Sequence, residues 1–365
     1  MQPSLFDFSV IRPSEERSQQ DILIWLAKAH AKSENSAPVD EDIKNRLFAL
    51  GTGSGKIERR ATQILKYLNL EDLWQIKQGM SVKARSDCFD LEATSALENF
   101  YTENTPLPSH LIHVSCTGYI TPSCAQKLVS KRNAETTVTN AYHMGCYASM
   151  PAVRIGAGFL GYDGMKTDIV HTELCSLHMN PAVHDTGQLV IQTLFGDGFI
   201  KYSLDTRQKA LEKGNALHVL ALHEEIIPNS LDLMTWSFED WGMKMTIAKE
   251  VPGAIAGHLQ GFVSKLIQKA GLDPESTSKK AIFAIHPGGP KIIEKTAKLL
   301  LLGEEQTFHS KKILAEFGNM SSATLPHIWK AILDDPSVPG GTLAIALAFG
   351  PGLTISGAIY EKGVP

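Results

Sequence analysis

The chain has 365 residues and a mass of 39.9 kDa, a length that fits two domains or one large double unit. Apolar residues make up 43% and charged residues 20%, which excludes disorder, collagen-like repeats and a disulfide-stapled miniprotein. With 35 basic and 39 acidic side chains the formal charge is −4, so the chain has no global attraction for phosphate backbones and nucleic acid is not expected as a partner.

The five cysteines are Cys88, Cys116, Cys124, Cys146 and Cys175. They contain no C-x-x-C pair, so neither a zinc ribbon nor a disulfide framework fits. The N-terminus MQPSLFDFSVIRP lacks the basic start and apolar stretch of a signal peptide. No apolar run reaches the roughly 18–20 residues of a membrane span. A soluble, cytoplasmic protein without membrane insertion is the expectation.

Residues 15–35 have a helical period, with Ile22, Ile24, Trp25 and Ala29 on one side. Residues 57–80 read as further helix. Between them lies GTGSGK (residues 51–56). A phosphate-binding loop needs Ser or Thr after the Lys and a strand before the glycines. Here Ile57 follows Lys56 and a helical segment precedes, so the stretch reads as a flexible turn. From residue 88 the pattern becomes α/β. Residues 91–101 are helical, LIHVSCTG (111–118) is a buried strand entering a loop, and SCAQKLVSK is helical. TTVTNAYHM (136–144) is a strand that ends at Gly145-Cys146. ASMPAVRIGAGFL is a helix with Pro151 near its start. DIVHTELCSL is a strand, LVIQTLFGDGFIKYSL is helix, turn and strand, and ALHVLALHEEII reads as a strand pair.

The second part repeats this grammar. Residues 251–271 are a helix. AIFAIHPGG (281–289) is a buried strand ending in small residues, like LIHVSCTG. PKIIEKTAKLLLL is a helix, FGNM (317–320) is a tight turn before the helix SSATLPHIWKAIL, and residues 341–360 are a hairpin of core strands around Gly-Pro-Gly. Two similar α/β halves with their sheets packed into one unit follow from this order.

Three residues stand at element junctions, where α/β folds place ligand sites. Cys146 ends a strand and opens a helix, where the helix dipole favours thiolate. The other four cysteines lack that context and read as core. His286 ends the strand AIFAI before Pro-Gly-Gly. Asn319 precedes a helix, where it also suits an N-cap. Cys, His and Asn together can build an acyl-transfer site.

The motifs YHMGCYASMPAVRIGAG, LFGDG, AIHPGGPKIIE, FGNMSSAT and AFGPGLT occur in this order. Over residues 85–365 the chain resembles the type III polyketide synthases, the chalcone- and stilbene-synthase-like branch of the thiolase superfamily. Ketoacyl-carrier-protein synthase III enzymes share the triad but usually differ around its His and Asn. Degradative thiolases need a second, C-terminal cysteine, and the last cysteine here is Cys175.

The resemblance implies a thiolase fold: duplicated βαβαβαββ halves, residues 1–215 and 216–365, packed as a five-layered αβαβα unit. It implies Cys146 as acyl acceptor, His286 as partner of its thiolate, and His286 with Asn319 as donors to the enolate left by a decarboxylating malonyl-type extender. Acyl-CoA or acyl-carrier-protein thioesters would be the substrates, with no cofactor and no metal. A homodimer is implied, with Thr121 reaching toward the partner's cavity. Among substrate-binding positions, Ser321 belongs to the FGNMSSAT motif. His178 and Met245 stand where the plant enzymes have two gating phenylalanines, and Trp236 stands where a small residue is frequent. An imidazole at 178 can hydrogen-bond a β-ketoacyl carbonyl, which a phenyl ring cannot. Arg46 and Lys56 are the cations near the stretch that grips coenzyme A. An alkylpyrone or alkylresorcinol product, a single condensation joining two carrier-bound chains, and a non-catalytic partner subunit are the competing outcomes.

Overall fold

The structure, a computed structural model, describes residues 2–33, 41–52, 56–63 and 80–365. The elements begin with β1 (Pro3–Ile11), β2 (Glu15–Ser18), α1 (Gln19–Ser33), α2 (Glu41–Thr52), β3 (Arg59–Thr62), α3 (Val82–Phe100), β4 (His110–Ser115), α4 (Cys124–Lys131) and β5 (Thr137–Tyr142). Next come α5 (Ser149–Asp163), β6 (Thr167–Leu174), α6 (Thr186–Leu194), β7 (Asp197–Thr206), α7 (Arg207–Leu211), β8 (Ala216–Ile226), β9 (Met234–Glu239) and β10 (Gly242–Ile247). The chain closes with α8 (Val251–Lys269), α9 (Pro274–Lys280), β11 (Ile282–Ile285), α10 (Pro290–Leu300), α11 (Phe308–Phe317), α12 (Thr324–Asp334), β12 (Leu343–Gly350) and β13 (Thr354–Gly363).

Nine strands form one sheet in the order β11-β12-β13-β8-β1-β7-β6-β4-β5. Read outward from the antiparallel β1–β8 junction, the two sides repeat each other. β7, β6 and β4 on one side match β13, β12 and β11 on the other, with the same parallel and antiparallel pairings. Among the described residues β5 has no counterpart. The apolar clusters give the layers of a thiolase fold. One cluster joins inner faces of both sides to α5 and α12. A second lies under α8 and α10, and a third under α3 and α4. Strands covered on both faces are buried end to end, as β4 and β6 are.

Several segments differ from the sequence reading. Residues 15–18 are strand, and helix starts only at Gln19. Part of the helix expected over 57–80 is the strand β3, held by pairing with β2; residues 64–79 lie outside the described residues, as do 53–55 of GTGSGK. ALHVLALHEEII is one long strand, β8, because β13 pairs along its whole length. The hairpin β9–β10 was not anticipated.

Candidate active site

Cys146 is placed by the link from β5 to α5. Gly145–Tyr147 form a 3-10 turn, and α5 starts only at Ser149. Gly145 has a φ of +74°, and a Cβ there would lie 2.9 Å from Pro351 Cδ. The FGPGLT loop between β12 and β13 therefore forms the floor of the nucleophile turn. The same device precedes Asn319. Gly318 has a φ of +71°, and a Cβ would lie 2.7 Å from the Leu194 carbonyl oxygen. The Asn319 N–H donates to the Leu194 carbonyl and the Asn319 carbonyl accepts from the Gly196 N–H, each at 2.9 Å, so the LFGDG loop pairs edge to edge with FGNM.

The Asn319 side chain is divided in use. Its Oδ1 accepts from the Ser321 N–H at 2.9 Å, a capping bond for the turn before α12. Its Nδ2 is buried without a partner. His286 follows β11, and its N–H donates to the Leu347 carbonyl of β12 at 2.8 Å. Its ring is 1% exposed, and neither ring nitrogen has a partner. The Cys146 turn packs on β12, the neighbour of β11, and on the turn Ser321–Ala323.

Burial pushes the Cys146 thiol up to about 12, against smaller opposite pulls from the nearby Ser321 and Asn319 side chains. Burial also pushes His286 down to about 3. The helix start expected at Cys146 is moved to Ser149. Cys146 precedes α5 rather than opening it, and its dry surroundings disfavour an isolated charge. The Cys146 Sγ lies 3.7 Å from Ser321 Oγ.

A largely apolar cavity opens beside Cys146, with His178, Trp236, Met245 and Ser321 on its wall. His178 is engaged on both sides. Its Nε2 donates to the Thr117 carbonyl at 2.7 Å, and its Nδ1 accepts from the Met243 N–H at 3.2 Å. This corrects the expectation that its nitrogens serve a substrate carbonyl. The Trp236 Nε1–H donates to the Cys116 carbonyl at 2.6 Å, and Gln188 Nε2 donates to the Met245 carbonyl at 2.7 Å. These bonds pin the β9–β10 hairpin as one wall.

The remaining expected positions lie outside the cavity lining. Thr121 is exposed on the loop after β4. Arg46 donates to the His184 carbonyl at 2.8 Å, and Lys56 is paired with Glu294. Conversely, Cys116 and Cys175, read from sequence as core, line the cavity. The repeat was the signal that could have found them. Cys116 follows β4 as His286 follows β11, and Cys175 follows β6 as Pro351 follows β12. Glu173 was also missed. It is fully buried and accepts from Thr117 Oγ1 at 2.8 Å, the Cys116 N–H at 3.1 Å and Ser322. Burial raises its pKa.

The profile of the chalcone and stilbene synthase C-terminal domain matches residues 218–365. The chain is 29% identical over 257 residues to the alpha-pyrone synthesis polyketide synthase-like Pks18 of Mycobacterium tuberculosis, covering 69% of this chain and 64% of that protein. It is 26% identical over 267 residues to 1,3,6,8-tetrahydroxynaphthalene synthase of Streptomyces griseus, covering 72% and 69%. The crystal structure of PKS-I from the brown alga Ectocarpus siliculosus superposes with a TM-score of 0.86 at 22% identity, over 99% of this chain and 98% of that one.

Proposed function

We propose that the chain is a type III polyketide synthase of the chalcone- and stilbene-synthase-like family, a ketosynthase acting on acyl thioesters; the match of residues 218–365 to that family's C-terminal domain supports this. Cys146 attacks a donor thioester, its proton passes to His286 and from there to the departing donor thiolate, and the acyl group is held on Sγ. A malonyl-type thioester then enters. His286 and Asn319 Nδ2 donate hydrogen bonds to its thioester oxygen, which stabilises the enolate formed as carbon dioxide departs. The enolate carbon attacks the Cys146 acyl carbonyl and displaces the thiolate. The scheme calls for no metal and no organic cofactor.

The observation that supports this reading is that both His286 ring nitrogens and Asn319 Nδ2 are buried without a partner, while the Cys146 thiol is buried in the turn that packs on β12 and on Ser321–Ala323. Native interiors rarely leave such groups unpaired, because each one costs free energy. The apolar cavity suits an aliphatic acyl group, so an alkylpyrone or alkylresorcinol is the product class we favour. The chain order supports residues 1–215 and 216–365 as the two halves. Exposed Tyr119 and Phe238 cluster with His143, with Tyr119 and His143 centroids 4.6 Å apart. Thr121 lies on the same loop as Tyr119, so we take this face as a homodimer contact. Light scattering at micromolar concentration should give twice the chain mass, and a monomer would reject the dimer.

Matched acyl-CoA and acyl-carrier-protein donors, each with malonyl-CoA, test the activity by product mass spectrometry. We expect pyrone or resorcinol masses with a medium or long acyl donor. Release of carbon dioxide with no condensed product from any donor would contradict the reading.

A further inference from the structure

Strand β3 carries two polar side chains on one face, Arg60 and Thr62, at the i, i+2 spacing of a strand. Both are buried, at 2% and 5% exposure, and both line the cavity that holds Cys146. Arg60 anchors itself with two of its three nitrogens. Nε donates to Gln19 Oε1 at 2.7 Å, and Nη1 donates to the Gln192 and Phe195 carbonyls at 2.8 and 2.7 Å. Nη2 has no partner, and neither has the Thr62 hydroxyl. Valine would fill the Thr62 position equally well without leaving a buried hydroxyl unpaired, so packing does not account for the oxygen.

Among the described residues Arg60 makes no ion pair. The charge of Asp197 acts on it from a distance, while burial pushes the guanidinium down to about 9. Asp197 itself is engaged by Ser176 and the Gln63 N–H. What the wall lacks is therefore an acceptor for two donors. Ile22, Trp25 and Leu26 of α1 line the same cavity.

We propose that Arg60 Nη2 and the Thr62 hydroxyl form a carbonyl-binding subsite of the cavity, which takes a keto oxygen of the acyl chain held on or entering at Cys146. This deepens the ketosynthase reading and rests on it. Each condensation leaves a new β-keto oxygen, and a subsite of this kind rewards a chain that has already been extended. An amide carbonyl of the pantetheine arm has the same acceptor chemistry, so the test separates the two sources.

The experiment measures Cys146 acylation by intact mass, using 3-oxoacyl and saturated acyl thioesters of equal length. Each is offered as the CoA thioester and as the truncated S-propyl thioester, which carries no amide. Thr62→Val is the main variant, because it removes only an unpartnered hydroxyl; Arg60→Lys is the second. The subsite predicts that wild-type protein prefers the 3-oxo chain and that Thr62→Val lowers this preference by about 5–10-fold, the worth of one hydrogen bond. A fall in both CoA thioesters but in neither truncated one keeps the subsite and assigns it to the arm. Unchanged ratios in both variants overturn the proposal while leaving the ketosynthase reading intact. No acylation of wild-type protein by any donor overturns both.

Discussion

At Asn319 one amide both caps a turn and offers a free donor, so substitutions there separate the two roles. Asn319→Asp keeps an acceptor for the Ser321 N–H and removes the Nδ2 donor; Asn319→Ala removes both. We expect release of carbon dioxide from a malonyl thioester to fall about 10²–10³-fold in both variants, the usual loss for one oxyanion donor. Only Asn319→Ala should also lose about 1 kcal/mol of stability with the cap. Acylation of Cys146 should persist in each. A decarboxylation rate in Asn319→Asp equal to wild type would leave Asn319 as a cap alone. Cys146, His286 and Asn319 were legible as candidates because each stands where an apolar run meets Gly or Pro. Cys116 and Cys175 were legible only through the repeat, which sets them level with His286 and Pro351, because nothing in their local sequence shows how β4 and β6 sit in the sheet. Glu173 was hidden for a related reason. A carboxylate in a buried strand shows no pattern, and its partners Thr117 and Ser322 come from distant parts of the chain.

The hairpin β9–β10 acts as a wall only because side chains from other segments hold its position or grip through it. His178 ties the Thr117 carbonyl to the Met243 N–H, and Trp236 reaches the Cys116 carbonyl. His178→Phe would leave both backbone groups without their partner. We expect a stability loss of about 1–3 kcal/mol and a broader spread of product chain lengths. Thermal melting and product mass spectrometry read these together. Wild-type stability with an unchanged product pattern would show that the ring only fills space. The hairpin was missed in the sequence because its outer strand is half exposed and its residues do not alternate cleanly. β3 was missed because four residues rich in Arg carry no strand signal; its pairing with β2 and the anchoring of Arg60 are tertiary. The apolar strands β4, β11, β12 and β13 were plain, since burial on both faces writes itself as continuous hydrophobic runs.

Across the whole molecule, buried histidines set a pH limit. Burial holds His113, His171 and His286 down to about 3, and His30, His178 and His327 down to about 4, from an ordinary 6.5. In the unfolded chain these rings bind protons below 6.5, while the folded chain resists until pH 3–4. The unfolded state therefore holds more protons in that window, and stability falls as pH falls through it. Each ring contributes about 1.4 kcal/mol per pH unit. Asp197, raised to about 6 chiefly by burial, and Glu173, also raised by burial, act in the opposite sense but are two groups against six. Melting temperature should drop steeply between pH 6.5 and pH 4; a flat profile there would contradict the assignment of neutral buried rings. The duplication belongs to this scale as well. Element order revealed that the chain repeats, but not that β1 and β8 meet to merge the two sides into one sheet, because that contact is between strands far apart in sequence.

Cys146 is proposed to carry the acyl group. Intact-mass analysis of the purified chain with an acyl-CoA or acyl-carrier donor, followed by peptide mapping, tests it most directly. Cys116 and Cys175 share the cavity and serve as internal controls. We expect one acyl mass on the peptide containing Cys146 and none in Cys146→Ala. An adduct on Cys116 or Cys175, an adduct that survives in Cys146→Ala, or no adduct with any donor would contradict it.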